Sequence, residues 1–126
     1  MPDIEDCLRQ AMAIRGALGA SLIDYPSGLT VGAAGSGPSG RDEVTAASTA
    51  TLVRATVDAA AMATVGRPGH LEDIVVTAGN GYHLVHFPDD GRDRRLVLYM
   101  WLDRDTGNLA MTQRSLRAIG AQLSVG

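Results

Sequence analysis

Residues 44–66 read VTAASTATLVRATVDAAAMATVG, a stretch in which only Arg54 and Asp58 carry charge. At about 100° per residue, Ala46, Ala50, Val53, Val57, Ala60 and Ala61 fall on one apolar stripe. Leu52, Ala59 and Ala63 add a second apolar flank, and Arg54, Asp58 and Thr51 leave a narrow polar strip. A helix with one face on its own sheet and the other in water is polar over about half its circumference. This one reads as covered twice, once by its own sheet and once by a further surface. Its small Ala and Thr side chains let a neighbouring helix approach closely, and the simplest neighbour is a second copy of the chain.

The flanking segments place this helix in an α+β arrangement. Asp3 is suited to cap a first helix from Ile4 to about Ala17, ended by Gly16 and Gly19. Ala20–Tyr25 and Leu29–Ala34 read as two strands joined by Pro26-Ser27-Gly28. Asp42 and Glu43 open the long helix with charges that suit its N-terminus, and Arg67-Pro68-Gly69 stops it. A meander of three strands follows, Glu72–Ala78, Tyr82–Phe87 and Arg95–Leu102, with Gly79-Asn80-Gly81 as its first turn. A last helix runs from about Leu109 to Leu123. No linker divides the 126 residues, which read as a single domain. Leu96 to Leu102 shows no polar alternation, so that strand is expected at the sheet centre, covered on both faces. Ile74, Val75 and Val76 carry no Pro or inward charge, which at a sheet edge invites pairing with another chain. The dimer is therefore expected on Ala46, Ala50, Val53, Val57, Ala60, Ile74 and Val76.

Composition removes several classes of function. The formal net charge of −3 argues against nucleic acid or an anionic membrane surface as partner. Arg92, Arg94 and Arg95 are interleaved with Asp89, Asp90 and Asp93, which cancel their field and mark a solvated turn. The chain contains eleven Arg and no Lys, which excludes Walker-type phosphate loops, protein kinases and Schiff-base enzymes. Acidic residues after Met1 argue against a signal peptide, Arg54 and Asp58 against a membrane span, and a lone Cys7 against a disulfide. A cytoplasmic protein is expected.

No constellation rises to a catalytic or metal site. Gly35-Ser36-Gly37-Pro38-Ser39-Gly40 matches G-x-G-x-x-G, but Pro38 lacks a needed N–H and the strands around it form a hairpin instead of βαβ. A flexible loop is expected there. His83 and His86, three apart on a strand, point to opposite faces and cannot share an ion. His70 has no second ligand nearby. Cys7 sits among apolar helix positions as an inert thiol, and Ser115 and Ser124 lack the G-x-S-x-G setting of a nucleophile. Asp89-Asp90 and Asp103/Asp105 belong to turns, with Asp103 closing the central strand.

The ordered series of motifs resembles the roadblock / dynein light-chain family. It runs through Gly16-Ala17, Gly19-Ala20-Ser21-Leu22-Ile23-Asp24, Gly28-Leu29, the Ala-rich helix and Glu72-Asp73-Ile74-Val75-Val76-Thr77. Tyr82-His83-Leu84-Val85, Leu98-Tyr99-Met100-Trp101-Leu102-Asp103 and Asn108-Leu109-Ala110 complete it, from about Asp6 to Leu123. Tyr25-Pro26-Ser27 departs from the family's shorter D-x-D-G turn. The resemblance implies a five-stranded antiparallel sheet with the last strand central. One long helix would lie on one face and the N- and C-terminal helices on the other, a profilin-like layering. It also implies homodimers made by pairing third strands and second helices, no enzymatic activity, and a role beside Ras-like small GTPases. The bacterial group it most resembles includes proteins encoded with a sensor histidine kinase and a small GTPase.

The expected function is thus a homodimeric adaptor or regulator of a Ras-like small GTPase in bacterial signalling, needing no cofactor or metal. Arg54 and Asp58 are candidate GTPase contacts, Arg54 conceivably as an arginine finger, with an i,i+4 pair between them as the plainer role. The alternative is a small-ligand sensory domain. That alternative needs a pocket, and the small side chains of the long helix are expected to bring it close onto the sheet.

Overall fold

The elements follow the order α1 (Ile4–Met12), β1 (Ala17–Asp24), β2 (Leu29–Gly35), α2 (Asp42–Asp58), β3 (Asp73–Ala78), β4 (Gly81–His86), β5 (Leu96–Asp103) and α3 (Leu109–Val125). The computed structural model describes residues 3–59, 71–88 and 95–125, for 124 and 125 the backbone alone. Ala60, His70, Asp89, Asp90, Arg92, Asp93, Arg94 and the Arg67-Pro68-Gly69 stop lie outside the described residues. The five strands form one antiparallel sheet in the order β2-β1-β5-β4-β3, which puts β5 at the centre as its unbroken hydrophobicity requires.

β5 serves two cores. Leu98, Met100 and Leu102 face α1 and α3, where Cys7, Leu8, Ala11, Leu22, Leu84, Leu116 and Ile119 enclose them. Val97, Tyr99 and Trp101 face α2 and pack with Ile23, Ala46, Val53 and Val85. Cys7 is buried, and that burial, helped by the nearby Asp6 and Asp3 carboxylates, pushes its thiol up in pKa. Both effects disfavour the reactive thiolate.

Local chemistry closes each element. Asp3 Oδ1 accepts the Asp6 N–H at 2.9 Å to cap α1, and Asn108 Oδ1 accepts Met111 N–H at 3.0 Å to start α3. Asp103 Oδ2 accepts both the Thr106 N–H (3.0 Å) and hydroxyl (2.7 Å), ending the central strand. The Asp24–Gly28 turn is wound around the Asp24 carboxylate. It accepts from the Ser27 hydroxyl and, in a forked pair, from Arg95 at 3.0 and 3.1 Å. The glycines at 16 and 107 meet where the α1–β1 and β5–α3 connections cross. A Cβ on Gly16, whose φ is +89°, would lie 2.6 Å from Gly107 Cα.

Two helices are shorter than expected. α1 stops at Met12, and the chain already enters β1 at Ala17, where the end of the helix is expected from sequence. α2 stops at Asp58, not Gly66, because Ala59 adopts extended backbone (ψ 116°). Val57 is the last α2 side chain packed against the sheet. Helical propensity without such packing is a weak constraint, and Asp58 places a negative charge at the disfavoured end.

His86 lies buried on the α1/α3 face, its Nδ1 2.8 Å from Asp73 Oδ1, while Arg117 reaches Asp73 Oδ2 at 3.7 Å. Gly120 of α3 seats the ring, since a Cβ there would come within 2.7 Å of its Cδ2 and Nε2. Gly120→Ala therefore sets a helix-propensity gain of about 1 kcal/mol against overpacking of about 1–3 kcal/mol. Net destabilisation is expected in urea unfolding. Asp24 supplies a pH test. Its carboxyl is held below the ordinary 3.8, first by Ser27 and then by Arg95, so its contribution exists above that value and fades as pH falls through the native pKa. Asp24→Asn should lose about 1–2 kcal/mol at neutral pH, and the difference from wild type should shrink on acidification.

Candidate functional site

α2 lies chiefly over β1 and β2, although its Ala46 and Val53 also pack with Val85, Tyr99 and Trp101 of β4 and β5. It is fastened there by Thr30 Oγ1 donating to the Asp42 carbonyl (3.4 Å) and Arg54 Nη1 donating to the Tyr25 carbonyl (2.7 Å). Between α2 and the β3–β4–β5 surface a groove of about 430 Å³ remains open. The expectation that the small residues of α2 would leave no pocket is thus overturned. Short side chains permit close approach, but the helix spends that approach on the β1–β2 half.

One wall of the groove is the α2 flank Val44, Thr45, Ser48, Thr49 and Leu52. The other wall and floor are Val76, His83, Val85 and Tyr99, and Pro38 and Ser39 close one end. The glycine-rich loop thus shapes the groove. Ser39 Oγ donates to the Arg41 carbonyl and lies 3.3 Å from Thr45 Oγ1, packing the loop onto the start of α2. Among the described lining residues there is no acid and no guanidinium. Val44 and Val76 are 39% and 38% exposed across the groove. Val76 belongs to β3, whose outer edge has no partner strand among the described residues.

His83 is the polar centre of the floor. Its Nδ1 lies 2.8 Å from the Tyr99 hydroxyl, and its ring stacks on Trp101 with centroids 4.5 Å apart and planes 25° from parallel. Burial alone lowers its basicity below the ordinary 6.5, and burial likewise raises the Tyr99 phenol so that it stays protonated. His86 is on the opposite face of β4, as residues three apart must be. Among the described residues no group of His, Cys, Asp or Glu is placed to hold a metal, and no helix is long and apolar enough to cross a membrane.

The expected interface residues separate. Ala46, Ala50 and Val53 have no exposed surface, because they form the stripe that α2 lays on its own sheet. They are core residues and cannot touch a second copy. Val57 and Ile74 are half-buried beside that core, Val76 is exposed, and Ala60 is outside the described residues. The outward face of α2 carries Ala47, Ser48, Thr51, Arg54, Ala55 and Asp58. Arg54 engages Tyr25 and not Asp58, so the i,i+4 pair is not formed. Val44, Ser48 and His83 were missed as site residues, although two signals pointed to them. Val44, Ser48 and Leu52 recur every four residues on the second flank. The two-residue Gly79-Asn80 turn also fixes Val76 opposite His83.

No protein-family model and no curated protein matches this chain. Solved structures do. Myxococcus xanthus MglB superposes with a TM-score of 0.78 at 16% identity, covering 98% of this chain and 96% of that one. A Roadblock/LC7 domain from Streptomyces avermitilis gives 0.73 at 14% identity, covering 97% and 95%. A structure described as MglB with tetrameric arrangement gives 0.65 at 17%, covering 94% and 88%. Identities this low speak for architecture alone, and the architecture is that of a Roadblock/LC7 domain.

Proposed function

We propose that this chain is a homodimeric adaptor for a Ras-like small GTPase in a bacterial, cytoplasmic signalling system that can include a sensor histidine kinase. On this reading it acts by recognition, with no bond-making chemistry of its own. The observation that carries the reading is the uncharged groove lying beside the unpaired edge of β3. A groove without charge favours an apolar occupant, and α2 itself offers one in Val44, Ser48 and Leu52. Two copies related by a two-fold axis would continue the sheet across β3 and place each second helix against the other's groove. The MglB structure described as tetrameric lends support, since it shows a similar fold self-associating.

A ligand-sensing reading keeps one supporting observation, the groove's volume with His83, Tyr99 and several hydroxyls on its lining. A second copy accounts for more, because it also satisfies the strand edge. Arg54 and Asp58 remain the proposed GTPase contacts, on the exposed face of α2.

Light scattering on the purified chain should give twice the 13.2 kDa protomer mass. Leu52→Arg and Val76→Arg, each placing a cation in the apolar contact, should each return the protomer mass while circular dichroism stays unchanged. GTP hydrolysis by a Ras-like GTPase of the same genome should respond to added wild-type protein. Arg54→Ala should weaken the complex about tenfold, the effect of losing roughly 1.4 kcal/mol. A loss of maximal rate at saturation would instead identify an arginine finger. No binding and no rate change would remove the GTPase role.

A further inference from the structure

Resting on the reading of the groove as the seat of a second copy, we infer that His83 is a proton-sensitive latch on dimer formation. The neutral imidazole lets the second helix close over the groove, and the imidazolium holds it off.

The surroundings of the ring carry this inference. From β5 it meets Tyr99 and Trp101. Val76 lies opposite on β3, and the α2 wall presents Thr45, Ser48, Thr49 and Leu52. Pro38 and Ser39 come from the loop before α2. The sole titratable group among these is the Tyr99 phenol, which stays protonated. Among the described residues no carboxylate faces the ring, so an imidazolium there depends on water for its solvation. A helix seated in the groove removes that water and supplies apolar and hydroxyl groups instead, which disfavours the charged form. His86 differs: its Nδ1 has the Asp73 carboxylate at 2.8 Å, so a charge there meets a counter-charge.

The sign follows from linkage. The isolated protomer already holds His83 below its ordinary basicity through burial, and dimer formation buries it further. Association is then independent of pH above the protomer's His83 pKa and weakens as pH falls through it. With two copies of His83 per dimer, the Kd rises by up to about 100-fold per pH unit.

Sedimentation of the full chain between about pH 8 and about pH 5.5 measures this Kd directly. Trp101, the one tryptophan, gives a second readout because an imidazolium stacked on it quenches its emission. The quenching midpoint should move to lower pH as protein concentration rises. His83→Phe and His83→Gln, which keep His86 and Asp73, should dimerise with little dependence on pH over the same range. Absence of a dimer at pH 8 would overturn the seating of a second copy in the groove. A dimer whose Kd is constant, or whose quenching midpoint ignores concentration, would overturn the latch alone. A Kd that falls on acidification would overturn it too, by showing a partner carboxylate on the ring. So would a pH response that survives in both His83 variants.

Discussion

Everything in this molecule answers to a strand that cannot be left wet on either side. β5 presents Leu98, Met100 and Leu102 to one layer and Val97, Tyr99 and Trp101 to the other. Exposing either set would forfeit roughly 1.5–3 kcal/mol per side chain. The strand therefore needs partners on both flanks for its hydrogen bonds and helices on both faces for its side chains. β1 and β4 supply the flanks, α1 with α3 supplies one face, and α2 the other. The terminal helices cover their face well, joined by reciprocal amide hydrogen bonds between Gln10 and Gln122 at 2.9 and 3.0 Å.

The α2 face is covered unevenly. One helix is about 10 Å across with its side chains, whereas five strands span about 20 Å at their usual spacing. Among the described residues α2 is the one helix on this face, and it favours a half. Thr30 and the Tyr25 carbonyl draw it to the β1–β2 half, which leaves Val76, His83 and part of the Tyr99 surface facing an opening. The groove is thus a consequence of layer arithmetic.

The central place of β5 and the turns at Asp24, Gly79-Asn80 and Asp103 were legible in the residues, because an unbroken apolar run and turn chemistry are local signals, whereas the five-stranded antiparallel sheet was implied only by the family resemblance. The site was legible only in part. A helical wheel reveals that α2 has two apolar sides; it does not reveal which of them meets its own sheet. Ala46, Ala50 and Val53 formed the stronger stripe and were assigned to a partner, yet the stronger stripe is what the core claims first. The end of α2 was misjudged for a related reason. Alanine keeps a helix possible, but contact with a sheet makes it form, and Val57 is the last α2 residue with that contact among the described ones. Val76 could be placed from sequence because an edge strand without protective charges is anomalous in any setting. The histidines were separated correctly by strand geometry, but the stacking of His83 on Trp101 required the register of β4 on β5.

The close crossing at Gly16 and Gly107 fastens α1 and α3 to a common end of the sheet, on the layer away from the groove. The molecule accordingly has a back and a front. A tether attached to the first or last helix would therefore leave the outward side of α2 unobstructed.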